Sequence, residues 1–213
     1  MAYRQPSTRL STTVQFTQAE VNFLAAIQPW SKEKWSKSFG TPAQNTERNN
    51  IKNKIRIELE TIQDNYCAFC GLDLRLAYKV QREHIAPQYL YSNYIFEPEN
   101  IVLACNYCNE KKGRKNTVIN DTGNYATTTF NILHPHRDNF NEYLACDFRK
   151  NELVFTIVGP EPIKTQNTIN CVGLADTHLV TQRGAIILKS ALPNFWALDQ
   201  LIKLIVSKSR KKR

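Results

Sequence analysis

Four of the six cysteines fall into two C-x-x-C pairs, Cys67/Cys70 and Cys105/Cys108, separated by 34 residues. Two such turns can bring four thiolates into a tetrahedron around Zn²⁺, and a closed four-sulfur site has no open position for chemistry, so its role would be structural. A thioredoxin-like redox pair is the competing reading of one C-x-x-C. The second copy and the lack of a βαβ context speak against it. Cys146 and Cys171 stand outside this scheme and read as small buried hydrophobes. Between and just after the pairs lie groups of another kind: Glu83-His84 at the end of a β-like run, Asn100 opening a second apolar run, and Asn109 after the last cysteine, followed by Lys111, Lys112, Arg114 and Lys115. A carboxylate, an imidazole and amides beside a cluster of cations suit acid–base and metal-assisted work on an anionic substrate. The bland alternative is a salt-bridged pair on a zinc ribbon with a solvated basic helix face.

The elements that must position these groups can be read around them. Thr17-Gln-Ala-Glu20 has the form of a capping box, and Val21, Phe23, Leu24 and Ile27 give the following helix an apolar stripe that ends before Pro29. Residues 1–16 read as a loose polar arm, and 39–45, with Gly40 and Pro42, as a linker. A second helix is predicted from Thr46 to about Asp64, with Ile51, Ile55, Leu59 and Ile62 on one face. Past the cysteines, a short helix is predicted over Asp138–Ala145, a strand over Leu153–Val158, and helices over Leu174–Leu192 and Asn194–Lys208. The last carries Phe195, Leu198, Leu201, Ile202 and Ile205, an ordinary core stripe or a docking surface. The parse is three parts: 1–65 an N-terminal arm and helices, 66–133 a zinc module, and 134–213 a C-terminal helical extension with a basic tail.

Charge and composition narrow the partner. With 28 Lys+Arg against 19 Asp+Glu the chain carries +9, the middle is balanced and the flanks are basic, a distribution suited to holding a polyanion. A chain of 213 residues with 42% apolar content can build a packed core. No apolar run is long enough to span a bilayer and no leader is recognisable at Met1–Leu10, so the expectation is a soluble cytoplasmic protein with no membrane partner.

The ordered set C-x-x-C-G, Glu83-His84-Ile85-x-Pro87, Glu99-Asn100-Ile-Val-Leu-Ala-Cys105-x-x-Cys108-Asn109 and Lys111-Lys112-Gly113 resembles the HNH endonuclease family, in its four-cysteine zinc form and H-N-N variant. The resemblance spans about Tyr66–Arg114. It implies an α+β fold in which a central ββα-metal module with a four-cysteine zinc site is flanked by helical segments, and a metal-dependent hydrolase of DNA phosphodiesters, with RNA an open alternative. It further implies His84 as general base, Glu83 and Asn109 as ligands of Mg²⁺ or Mn²⁺, and Asn100 as the residue that fixes the loop and orients His84. The family commonly has Asp where Glu83 stands and His where Asn109 stands. His134, just past the module, is a candidate extra ligand or phosphate contact, with a polar turn as the plain alternative for His134 and His136. Lys111, Lys112, Arg114 and Lys115 would flank the scissile phosphate. No base-reading recognition helix is evident, so sequence specificity is expected to be low or supplied by a partner. Short patterns in the flanks, Ile132-Leu-His-Pro135 and Thr168-Ile-Asn170, are similar to small HNH proteins that accompany an ATPase in prokaryotic anti-phage systems of the Septu and retron-associated type. The alternative function is a non-catalytic zinc module that binds nucleic acid or a protein.

Overall fold

Thr41, not Thr46, starts the longest helix. In the computed structural model its side chain accepts a hydrogen bond from Gln44 N while the Gln44 side chain returns to the Thr41 backbone N–H, and Pro42 occupies the first helical position. Proline there gives up an amide that has no helical partner anyway, so the stretch expected as a linker is a helix start. The structure describes residues 9–149, 152–177, 179–181, 184 and 200, with the backbone alone for 146–149 and 152–154. Within these, α1 spans Gln18–Ala26, α2 Lys32–Ser36 and α3 Pro42–Ile62. The capping box at Thr17/Glu20 is present, and Ile51, Ile55 and Leu59 are fully buried along α3.

Helix α2 was not visible in the sequence, because five residues are too few to show a period. It is capped by Ser31 and carries the buried Trp35 under the module. Trp30 Nε1 donates to Leu24 O at 2.8 Å and Lys34 Nζ to Ile27 O at 2.7 Å, which fastens α2 to the end of α1. The arm before α1 is docked where it is described: Val14 is buried, and Leu10 N donates to Pro135 O at 2.9 Å.

The centre is a ββα unit. β1 (Val80–His84) pairs antiparallel with β2 (Ile101–Cys105), Val80 facing Cys105 and His84 facing Ile101, and α4 (Asn106–Lys112) follows directly. β2 is buried along its whole length, which suits its unbroken apolar run. On its far side the fully buried Gln63, at the end of α3, acts as a substitute strand: Leu103 N donates to Gln63 Oε1 at 2.7 Å and Gln63 Nε2 donates to Leu103 O at 2.9 Å. Otherwise Leu103 N would be buried without a partner.

Two further antiparallel pairs complete the described fold, β3 (Val118–Asn120) with β4 (Thr129–Phe130) and β5 (Leu144–Arg149) with β6 (Glu152–Ile157), followed by α5 (Pro162–Val172). The helix expected over Asp138–Ala145 is instead a single 3-10 turn at Phe140–Glu142 leading into β5, whose six residues all find partners on β6. Cross-strand pairing, which a local pattern does not report, decides that segment. The C-terminal flank thus begins as a hairpin. α5 ends at Gly173 in the left-handed conformation, so 174–176 lie beyond it without helical structure, while 177, 179–181, 184 and 200 are helical. The remainder of the helices expected over 174–192 and 194–208, His178 and the basic tail lie outside the described residues. Among those described, no helix is long and apolar enough to cross a membrane.

Candidate active site

Cys67 and Cys70 sit on a tight turn tied to the sheet by Ala68 N donating to Leu103 O at 3.1 Å, with Gly71 in the left-handed conformation that closes the turn. Cys105 ends β2 and begins α4, and Cys108 lies one turn further on. The four Sγ atoms lie within 4.8 Å of one another and all four residues are buried. Cys70 and Cys105 sulfurs are 3.8 Å apart, far beyond a disulfide bond. Four soft donors enclosed around one point, with Cys105 N donating to Cys67 Sγ at 3.4 Å, fit Zn²⁺ in a closed site.

β1 ends at His84, and successive side chains on it point to opposite sides. Glu83 turns toward α4, where its Oε1 lies 2.7 Å from Lys112 Nζ. His84 turns toward α2, its ring packed edge-on against Trp35 at 4.7 Å between centroids. Both nevertheless reach one cleft, shared with Lys32, Gln88, Tyr89, Gly113 and Arg114, because the strand stops there and Pro87 leads the chain away.

His84 is held by a single ring hydrogen bond, Nε2 to Ile95 O at 3.0 Å. A carbonyl only accepts, so Nε2 carries the proton and Nδ1 keeps the lone pair. No partner engages Nδ1 among the described residues. Burial lowers the imidazole's pKa to about 4, and the positive charges of Lys112, Lys52 and Arg82 act in the same direction against the Ile95 bond. The ring is therefore neutral at pH 7. Glu83 behaves oppositely: burial raises its pKa, and Lys112 counters that rise.

Asn100, fully buried at the start of β2, holds the loop that carries Ile95. Its Oδ1 accepts from Ala86 N at 2.7 Å and Tyr125 OH at 3.1 Å, and its Nδ2 donates to Tyr94 O at 2.8 Å and Ala86 O at 3.3 Å. Since the Tyr125 hydroxyl proton goes to Asn100, His134 Nε2, 2.9 Å away, is the donor to Tyr125. His134 Nδ1 accepts from His136 N at 3.2 Å. Both nitrogens of His134 are thus engaged, and the residue is 1% exposed. Placed so, it offers no free ring nitrogen to a cation in this arrangement, and it joins Tyr125 to the turn at His136.

Residues 67–115 match the HNH endonuclease family model. This is under a quarter of the chain, and it coincides with the cysteine turns, β1, β2 and α4. No curated protein matches the chain. The chain carries an HNH domain with a four-cysteine cluster, and that match supports a nuclease of this family.

The basic cluster after Asn109 is dispersed by the fold. Lys112 is 1% exposed and faces Glu83 inside the HNH domain, so it is not a solvated phosphate contact. Lys111 pairs with Asp176 at 2.5 Å, and Lys115 Nζ donates to Asn170 O and Cys171 O at the end of α5. Arg114, over the Tyr89 ring at 5.5 Å, remains at the cleft. Asn109 lies three residues before Lys112 and so on the same side of α4. One carboxylate and one amide suit a hard cation that completes its shell with water and substrate oxygens. The fit holds only in part, because the carboxylate is already engaged by an ammonium. Sequence reasoning missed Trp35 and Tyr125, which approach from distant segments with no local signal. Arg82 was readable, since it shares a side of β1 with His84. Cys171 is buried as expected; the Cys146 side chain lies outside the described residues.

Proposed function

We propose that the HNH domain hydrolyses phosphodiester bonds of DNA with His84 as general base. The observation that carries this reading is an imidazole that lines the cleft with Glu83, its Nε2–H fixed on Ile95 O and its Nδ1 without a partner among the described residues. A phosphodiester in the cleft would lie between His84 and Arg114. His84 Nδ1 takes a proton from a water, the water oxygen attacks phosphorus, and the bond to the opposite, leaving oxygen breaks, that oxygen taking a proton from solvent; the imidazolium then returns its proton to solvent. A positive charge is unfavourable on His84 in the free protein, and an arriving phosphate reduces that penalty. Held by Glu83 and Asn109, Mg²⁺ or Mn²⁺ would supply neutralisation of charge on the leaving oxygen. Asn100 acts by holding the loop that ends at Ile95.

A second reading, a non-catalytic zinc module, is favoured by one observation: the Glu83–Lys112 pair is closed. Supercoiled plasmid incubated with added Mg²⁺ or Mn²⁺, beside His84→Ala and a chelated control, separates the two. Nicking by the wild type that is lost in His84→Ala supports the nuclease; equal nicking by both removes His84 as base. For the chain's setting we propose an anti-phage complex with an ATPase, supported by the flank patterns around Ile132–Pro135 and Thr168–Asn170, and within it a division of the chain at 65/66 and 133/134 into arm, module and extension. Co-purification of an ATPase with the tagged chain from its native host tests that.

A further inference from the structure

Outside the HNH domain, α3 presents two kinds of charge. Lys54 is neutralised by Glu20 at 2.6 Å and Arg56 by Glu60 at 2.9 Å. Arg48 and Lys52, one turn apart, and Arg82 on β1 have no carboxylate partner among the described residues. Arg48 is consumed in holding backbone carbonyls, Lys34 O among them at 2.9 Å. Lys52 and Arg82 are half-buried and locked together instead: Arg82 Nη1 donates to Lys52 O at 3.1 Å, and Lys52 Nζ donates to Trp35 O at 2.8 Å while lying 4.8 Å from the Trp35 ring centre. Trp35 is the ring that also packs on His84. Uncompensated like charges held this close are unfavourable by themselves, and an anion would relieve them. Consistently, burial followed by the fields of Arg82 and Arg48 brings the Lys52 ammonium down to about 8.

We propose that Lys52 and Arg82, with Lys32 at the cleft mouth, bind a backbone phosphate of the nucleic acid adjacent to the one presented to His84, so that the N-terminal helices supply the strand's track into the HNH domain. The identity of the polyanion rests on the nuclease reading; the site itself does not. Three features fit this occupant: the sign of the charge, the rigid mounting of both cations on backbone carbonyls, and the indole of Trp35, which packs on both Lys52 and the imidazole. Phosphate contacts of this kind position a duplex without reading its sequence.

The test measures binding in a His84→Ala background without added divalent cation, by anisotropy of a fluorescein-labelled DNA duplex across a range of KCl. Lys52→Gln and Arg82→Gln are each expected to lower affinity by about an order of magnitude for two unrelated sequences alike, and to reduce the slope of log affinity against log salt by about one. Lys52→Arg keeps the charge and should keep the slope, and Lys54→Gln, on a neutralised part of α3, should match the parent. Far-UV circular dichroism and zinc content confirm that each variant is folded. Unchanged affinity and slope in both glutamine variants would overturn the proposal, as would loss of slope in Lys52→Arg or no DNA binding by the parent. A wild type that binds through Lys52 and Arg82 but cuts nothing would sink the nuclease reading and leave this site standing.

Discussion

Lys112 Nζ lies 2.7 Å from Glu83 Oε1, with the ammonium wholly enclosed and the carboxylate nearly so. The pair links β1 to α4 at the point where a cation-dependent nuclease needs a free carboxylate. Removing one member leaves the other as an uncompensated buried charge, which typically costs about 3–5 kcal/mol, whereas removing both can be nearly neutral. Lys112→Met and Glu83→Gln should each lower the urea midpoint strongly, and the double variant should recover most of the loss. Additive effects in that cycle would show that the two groups do not interact.

The same pair bears on cation binding. If Glu83 holds the catalytic cation, Lys112 competes with it, and Lys112→Gln, which keeps a polar contact to Glu83, should bind Mn²⁺ more tightly than the wild type. Tenfold is the scale of about 1.4 kcal/mol of removed competition. Titration calorimetry reads this without reference to cleavage. Equal or weaker Mn²⁺ binding would place the cation elsewhere.

The four-cysteine site should carry one Zn²⁺ per chain and hold the domain together. Its sulfurs tie the turn after α3 to the β2–α4 junction, and apparent binding energies of such sites, about 10–16 kcal/mol, are folding energies. A strong chelator or Cys108→Ser should lower the melting temperature sharply, and metal analysis should give a ratio near one. Folded, fully stable protein with no zinc would remove the structural role.

Asn100 is predicted to tolerate its isostere least. Its Nδ2 donates to Tyr94 O and Ala86 O, so Asn100→Asp would set a carboxylate against two carbonyls in a dry site. Each buried group left unpaired costs about 1–3 kcal/mol, which puts Asn100→Asp below Asn100→Ala in thermal stability. Tyr125→Phe leaves the His134 Nε2–H without its acceptor and should lose about the same for one group. The order Asn100→Asp, then Asn100→Ala, then Tyr125→Phe, from least to most stable, is the expected ranking by calorimetry.

How much of this was legible in sequence follows from range. The Thr17–Glu20 box, the α3 stripe and the cysteine turns are local, and each stands where spacing put it. Thr41 as the start of α3 was also local, but Gly40 and Pro42 drew the reading toward a linker. β5 turned on a partner strand, and α5, which docks through Thr168 Oγ1 accepting from Leu133 N, has too weak a stripe to announce itself. In the candidate site, residue types gave His84, Glu83 and Asn100. The enclosure of Lys112, Trp35 against His84, and the closure of His134 on Tyr125 are tertiary contacts, and no periodicity encodes them.

Three buried histidines make stability fall on the acid side. His84, His134 and His136 all have pKa values lowered first by burial from their ordinary 6.5, His84 to about 4. In the unfolded chain each takes up a proton near pH 6.5, while the folded chain refuses it, so below about 6.5 the unfolded state binds more protons and is favoured. The contribution is fully present above about pH 6.5 and is lost as pH falls; for His84 the loss levels off near pH 4. One proton difference gives about 1.4 kcal/mol per pH unit, and about 3 kcal/mol for His84 over that window. Urea unfolding of the wild type should therefore show midpoints dropping from about pH 7 toward about pH 5, and His84→Gln should show a slope shallower by one proton. Zinc release must be followed in the same samples, because thiolates that take up protons pull in the same direction. Equal slopes for wild type and His84→Gln would mean that the imidazole is not held neutral, and the tautomer assigned from Ile95 would fall with it.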